Sequence, residues 1–153
     1  MIKINDKNKA KCSGCGVCAA KCPKRCISMV LDREGFLYPE VDELKCVRCG
    51  LCKNICNSIK SVKSANIPVA YACYNSNEKI RMESSSGGIF TIIAEMILDL
   101  GGVVFGAAFD NDLSVHHICV ENKEDLYKLR GSKYIQSVIG SEYKHVEKLL
   151  ESG

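Results

Sequence analysis

Two rhythms of hydrophobic and polar positions run along the chain, and one gives way to the other near residue 64. In the first stretch apolar side chains come in short bursts between charges and glycines. Ile27 to Leu31 reads as a short strand, Asp32 to Gly35 as a turn, and Phe36 to Tyr38 as a returning strand that Pro39 ends. Phe36 and Tyr38 are then available to cover apolar surface. Residues 57–68, "NSIKSVKSANIP", keep no period and close on a proline, as a linker does. The second stretch is more regular. "VAYACY" (69–74) reads as a strand and "SSSGG" (84–88) as a loop. Ile89, Ile92, Ile93, Met96, Ile97 and Leu100 recur at helical spacing and predict an amphipathic helix with Gly101 at its C′ position. "VVFGAAF" predicts a buried strand, "DND" a turn and "SVHHICVE" another strand. "NKEDLYKLR" reads as a short helix capped by Asn122, "GSKYIQS" as a loop or short strand, and "SEYKHVEKLLESG" as a final helix. Strands alternating with helices make this half an α/β unit. It ends where such a unit needs its next strand, so the chain reads as part of a longer protein.

Composition adds three constraints. Charged residues at 25% and hydrophobic residues at 46% of 153 suit a folded soluble protein. The most apolar run, "GGIFTIIAEMILDLGGVVFGAAF", is broken by Glu95, Asp99 and the Gly101-Gly102 pair, which argues against a membrane span. There are 11 cysteines, yet the opening "MIKINDKNKAKC" has no apolar core of a signal peptide. A reducing, cytoplasmic setting follows, and there dense cysteines hold metal rather than disulfides.

The cysteines are arranged as a repeat. "CSGCGVCAAKCP" begins at Cys12 and "CVRCGLCKNIC" at Cys46. Cys12, Cys15, Cys18 and Cys22 map onto Cys46, Cys49, Cys52 and Cys56 at a constant offset of 34 residues, and Gly16 maps onto Gly50. Each copy has the spacing of bacterial [4Fe–4S] ligation. Three cysteines in a tight loop can wrap three corners of one cube, while the fourth points to a neighbouring cube. The expected ligand sets are therefore crossed: Cys12, Cys15, Cys18 and Cys56 for one cluster, and Cys46, Cys49, Cys52 and Cys22 for the other. Gly14, Gly16 and Gly50 permit backbone angles that aim amide N–H groups at sulfur, and such bonds raise reduction potentials. Zinc, the competing metal, favours paired CxxC units across a long gap and not four evenly spaced thiols.

Residues 1–63 carry thirteen Lys/Arg against six Asp/Glu, and residues 64–153 carry eight against twelve. The basic half offsets the negative charge of thiolate-ligated clusters; no motif or interleaved aromatics point to nucleic acid. The copies differ in one respect: Pro23 follows Cys22 but Asn57 follows Cys56. The turn is expected to form without proline, with the two potentials unequal. Cys26, Cys73 and Cys119 read as small buried side chains.

In the second half, "SSSGG" before a helix could bind an anion through free N–H groups, or could be an ordinary lead-in with a serine N-cap. "RGSKYIQ" places Arg130, Lys133 and Tyr134 near a glycine, either as a phosphate or ring contact or as a solvated loop. His116 and His117 are strand neighbours facing opposite sides, and read as structural.

Together, the cysteine pair, the linker, "YACYNSNEKIRMESSSGGIFTIIAEMILDLGGVVFGAAFD" and "LRGSKYIQS" resemble the beta-subunit family of coenzyme F420 hydrogenase/dehydrogenase, from Cys12 to about Val146. The resemblance implies an iron–sulfur flavoprotein that binds FAD and passes electrons between a two-electron carrier, often a deazaflavin coenzyme, and its clusters. It also implies that Ser85, Ser86, Gly87, Gly88, Lys133 and Tyr134 help form the flavin or substrate pocket, which a large C-terminal portion normally completes. The expected architecture is α+β: a ferredoxin-like 2[4Fe–4S] module over 1–63, then a partial α/β domain over 64–153. The expected function is an oxidoreductase subunit working with a redox partner protein or subunit, its catalytic residues unassigned; a plain ferredoxin-like electron-transfer module is the alternative.

Overall fold

A computed structural model describes residues 9–59 and 67–153. The elements in chain order are a 3-10 turn Lys9–Lys11, α1 (Val17–Ala20), β1 (Ile27–Leu31), β2 (Leu37–Val41), α2 (Leu51–Asn54), α3 (Glu78–Met82), α4 (Ile89–Asp99), β3 (Val104–Phe109), β4 (Val115–Val120), a 3-10 helix Lys123–Leu129 and α5 (Glu142–Ser152). The class is α+β, as expected. Two compact units divide the chain: Met1–Ala65 with Val138–Gly153, and Asn66–Ser137. The sequence reading runs its second domain through to residue 153, whereas here the final helix belongs with the first unit. Most of the predicted linker, residues 60–66, lies outside the described residues.

In the first unit β1 and β2 form an antiparallel hairpin, with Met29 opposite Pro39. The predicted turn is there: Asp32 Oδ1 accepts the N–H groups of Glu34 and Phe36, each at 2.9 Å, and Gly35 takes φ 86°. Pro39 does not end the strand. Asp32 N donates to Phe36 O and Asp42 N to Cys26 O, so narrow pairs alternate along the ladder and Met29–Pro39 falls at a pair that exchanges no hydrogen bonds. Proline loses nothing there, and its ring is buried. Cys18, Cys26 and Ile27 are the buried centre of this unit, and Cys22, Cys46, Cys52, Cys56 and Val41 pack around them. Its core is thus built largely from thiols.

The second unit has one sheet among the described residues, the antiparallel hairpin of β3 and β4, with Phe105 opposite Cys119. Ala94, Ala108, Val120, Leu126 and Leu129 form the core, with Leu98, Val104 and Ile118 against it. Gly106 lets Leu129 approach: a Cβ there would come within 3.1 Å of Leu129 Cδ1. Asn122 caps as expected, its side chain accepting from Asp125 N at 3.0 Å, but the helix it starts is 3-10. Residues 69–74 are not a strand, with Tyr71 83% exposed and Cys73 also exposed. Among the described residues no further strand in this unit offers them a ladder.

Helix α4 exists where predicted, with Gly101 following its C-cap at φ 79°. Its packed face differs. Thr91 and Ala94 are buried, their small side chains admitting β3 and the 3-10 helix closely, and Leu98 packs against the core beside them. Ile93 and Met96 of the predicted stripe are 52% and 55% exposed. The short α3, unseen in the sequence, is capped by Asn77, whose side chain accepts from Ile80 N.

Leu126, fully buried, should lose about 2–5 kcal/mol of stability on Leu126→Ala, read as a lowered urea midpoint. Thr91 Oγ1 is buried with no partner among the described residues, so Thr91→Val should leave stability unchanged or raise it by about 1 kcal/mol in the same measurement.

Candidate metal centre

The repeat is a repeat of backbone shape. Gly16 caps α1 at φ 77° and Gly50 caps α2 at φ 80°, placing Cys18 and Cys52 on matching single-turn helices that pack on each other. Two residues earlier in the pattern, Gly14 has φ 66° and Arg48 has φ 54°, so Arg48 occupies a left-handed position that its counterpart fills with glycine. The first loop aims an N–H at sulfur as expected: Gly14 N lies 3.4 Å from Cys12 Sγ. The turn after the fourth cysteine also repeats. Arg25 N donates to Cys22 O at 3.0 Å and Ile59 N to Cys56 O at 3.1 Å. Proline is therefore dispensable; Asn57 supports the same turn.

The hairpin brings Cys22 across to the second loop. Cys22, Cys46, Cys49 and Cys52 line one cavity, closed by Ile27, Val41, Val47 and Leu51. Cys26, Lys24 and Arg48 line it as well, and four of its five sulfurs would suit the ligands of an iron–sulfur cube. In the other loop, Cys12 and Cys15 lie near enough to Cys18 to act on it electrostatically. Burial, with Cys15 and Cys12 adding, pushes the Cys18 thiol up to about 11, so metal must displace a firmly held proton. Cys26, expected as a small buried side chain, is one, and its Sγ lies 3.4 Å from Cys22 Sγ. Burial and the Cys22 hydrogen bond push its thiol up to about 11. Burial works to raise Cys22 too, but the Cys26 N–H, the Cys26 side chain and the Lys24 and Arg25 N–H groups outweigh it and lower its value. Cys26 is thus the proton holder of the pair. None of the eleven cysteines is in a disulfide.

The second unit holds a separate cleft of about 520 Å³, lined by Tyr71, Ser84 to Phe90 and Leu129 to Ser132. Ser85, Ser86, Gly87 and Gly88 all lie on it, and Ser85 Oγ faces Ser132 Oγ at 3.3 Å. The α4 N-cap is Gly88 at φ 74°, not a serine. Packing alone requires both glycines: a Cβ at Gly87 would meet Cys73 O at 2.7 Å, and one at Gly88 would meet Asn75 Cβ at 3.2 Å. Asn75 is buried and stitches this corner, donating its backbone N–H to Gly87 O and its side-chain Nδ2 to Gly88 O. Lys133 and Tyr134 are not on the cleft lining. Lys133 Nζ donates to Lys128 O and Arg130 O, and its pKa is lowered by burial; Tyr134 is 92% exposed. Arg130, Gly131 and Ser132 line the cleft from the same loop, and Arg130 Nε is buried without a partner among the described residues while its other end pairs with Glu83. The sequence offered Arg130 either as a phosphate or ring contact or as part of a solvated loop, and passed over Ser132 and Tyr71, since a loop shows no periodicity to reveal which way it faces. His117 Nδ1 meets Ser137 Oγ at 2.8 Å and His116 lies 3.9 Å from Asp110, which suits structural roles on opposite faces.

Comparison with known proteins gives two family matches. Residues 11–58 match the family model of a 4Fe-4S dicluster domain, and residues 70–142 match that of the coenzyme F420 hydrogenase/dehydrogenase beta subunit N-terminus. An uncharacterized protein of Methanocaldococcus jannaschii is 30% identical, over 82% of this chain and 42% of its own length. DNA-directed RNA polymerase subunit Rpo3 of Methanosarcina acetivorans is 33% identical over 63% of this chain and 32% of its own. NADH-quinone oxidoreductase subunit I 2 of Geobacter metallireducens is 39% identical over 32% of this chain and 41% of its own. The chain thus spans less than half the length of each of these relatives. The chain therefore joins a stretch similar to an iron–sulfur dicluster domain to a stretch similar to this second domain. Residues 70–142, just under half of the chain, are thus similar to the N-terminal part of the coenzyme F420 hydrogenase/dehydrogenase beta subunit. Among the described residues no helix is long and apolar enough to cross a membrane.

The left-handed positions supply a test. Gly50→Ala should destabilise the cluster-loaded protein by about 1–2 kcal/mol, because its Cβ meets nothing within 4 Å and only φ opposes it. Arg48→Gly should shift the denaturation midpoint the other way.

Proposed function

We propose that this chain is the relay portion of an iron–sulfur flavoprotein oxidoreductase subunit. In this reading Cys12, Cys15, Cys18 and Cys56 hold one [4Fe–4S] cluster, and Cys46, Cys49, Cys52 and Cys22 the other. The carrying observation is the cavity that gathers Cys22 with the three cysteines of the opposite loop, the crosswise grouping expected of a two-cluster ferredoxin. Bound clusters supply single-electron storage, and FAD in the complete protein supplies exchange with a two-electron carrier such as a deazaflavin. The chain's own contribution is binding, spacing and tuning. The α1 and α2 caps orient the loops, Gly14 N–H turns toward Cys12 sulfur, and Val41, Val47 and Leu51 keep water from the second site.

The cleft of the second unit is the proposed flavin-side surface, with Ser85, Ser86, Gly87 and Gly88 on its floor and Arg130 and Ser132 as added polar groups. Its serines and the N-terminus of the 11-residue α4 suit an anionic group such as a phosphate. Lys133 and Tyr134 enter this reading only as neighbours of that loop. A redox partner protein or subunit takes the electrons, and the cytoplasm suits eleven cysteines kept out of disulfides. The second reading, an electron-transfer module without its own catalysis, draws on the likeness to an NADH-quinone oxidoreductase subunit over the shorter span.

Anaerobic reconstitution should load about eight irons per chain. Cys22→Ala and Cys56→Ala should each lower this toward about four and remove different EPR signals; both signals surviving in both variants would falsify the crossed assignment. Absorption of the anaerobically purified full-length protein separates the two readings. Flavin bands above the broad cluster absorption support the oxidoreductase, and cluster absorption alone favours the module.

A further inference from the structure

The two cysteine loops share a backbone design, but their surroundings differ. The first shares a pocket with Val138, Ile139, Gly140 and Tyr143 from the last stretch of the chain, and among the described residues no charged side chain lines it. The second brings its sulfur to the surface. Of the eight cysteines in the repeat, Cys49 is the exposed one. Val47 and Leu51, two residues to either side, wall the cavity yet remain 58% and 48% exposed. Lys24 and Arg48 line the same cavity, and both are exposed. From Ala19 to Leu31 and from Leu44 to Ile59 the chain has six Lys/Arg and no Asp/Glu. Lys21 and Lys45 are paired, with Glu147 and Asp42. Among the described residues Lys24, Arg25, Arg48 and Lys53 take part in no ion pair. We propose that this apolar, cation-rimmed surface at Cys49 is the docking face for an acidic one-electron carrier protein, which exchanges electrons with the cluster of the second loop. The inference rests on the proposed ligand role of Cys49 and names the partner that the relay reading leaves open.

Charge complementarity and position select this occupant. Electron exchange needs the cluster edge close to the partner's centre, and an exposed ligand sulfur gives the shortest way out. Val47 and Leu51 offer apolar area for the middle of a contact. The cations around them orient an acidic surface and speed its encounter. Such attraction is long in range and weakens with salt. In the step itself the reduced cluster gives one electron to the oxidised centre of the carrier, and no covalent bond forms or breaks. Cations that only balanced the cluster's own negative charge would act the other way. Replacing them by acids disfavours the more negative, reduced cluster, which becomes a stronger reductant and gives its electron faster. Slower transfer has to come from lost attraction.

The test is the double variant Lys24→Glu, Arg48→Glu in the anaerobically reconstituted, reduced chain, mixed with an oxidised rubredoxin of net negative charge as the probe. Bleaching of the rubredoxin iron gives the second-order rate across a range of ionic strength. The unaltered protein should react more slowly as salt rises. The double variant should react about tenfold more slowly at low salt and approach the unaltered rate at high salt. The control pair Lys144→Glu, Lys148→Glu makes the same change of net charge at exposed lysines of α5, neither of which lines the Cys49 cavity. It should leave the rate near that of the unaltered protein. Rates that ignore salt, a double variant as fast as the unaltered protein or faster, or equal slowing in both pairs would each overturn the docking face and leave the cluster reading intact. If the double variant loads less iron, Lys24→Glu alone, which leaves the second loop untouched, carries the same prediction at roughly threefold. Fewer than about seven irons in the unaltered protein would overturn the cluster reading, and this inference with it.

Discussion

Thiols make up most of the core of the first unit, and everything else there is arranged around that fact. A hairpin of five-residue strands and two single-turn helices bury too little hydrocarbon to hold a fold against chain entropy. Cys18 and Cys26 sit at the centre with Cys22, Cys46, Cys52 and Cys56 against them. As protonated thiols these are small hydrophobes; as thiolates on metal they would cross-link segments tens of residues apart. Metal binding in such a site is folding free energy. The left-handed caps at Gly16 and Gly50, the buried Pro39 and the Asp32 turn are the local devices that bring the sulfurs to one place.

The second unit obeys a different constraint. Its core is a conventional apolar cluster under a two-stranded sheet, with Leu126 and Ala94 at the centre. Its cleft is a by-product of close backbone approach. Asn75 holds the loop of Gly87 and Gly88 against the segment before it, and the serines before them are left facing Arg130 and Ser132. The same glycines that the family resemblance marks for a cofactor are needed by the fold itself. Architecture and site therefore share residues, and substitutions there report on both.

The two units suit a division of labour. One would hold single-electron centres at short spacing, and the other offers a polar cleft of a size for part of a larger cofactor. The family matches fall on the same two segments.

The periodic and the repetitive were legible in the sequence. The 34-residue cysteine offset predicted the paired loops, because ligand spacing is a local property of the chain and each loop folds by its own glycines. The β1–β2 hairpin, the extent of α4 and the Asn122 cap followed from nearest-neighbour signals of the same kind. What tertiary structure decided was which surfaces meet. Helix α4 has apolar residues nearly all round, so periodicity pointed to the bulky stripe while packing chose the face of Leu98 and of Thr91 and Ala94, whose small side chains let β3 come close. Pro39 could stay in a strand only because the ladder register spared its missing N–H. Residues 69–74 have strand composition but no partner strand among the described residues, and composition carries no information about partners. Tyr143 lines one pocket with Cys15 across more than a hundred residues of sequence, a meeting that only the folded chain can create.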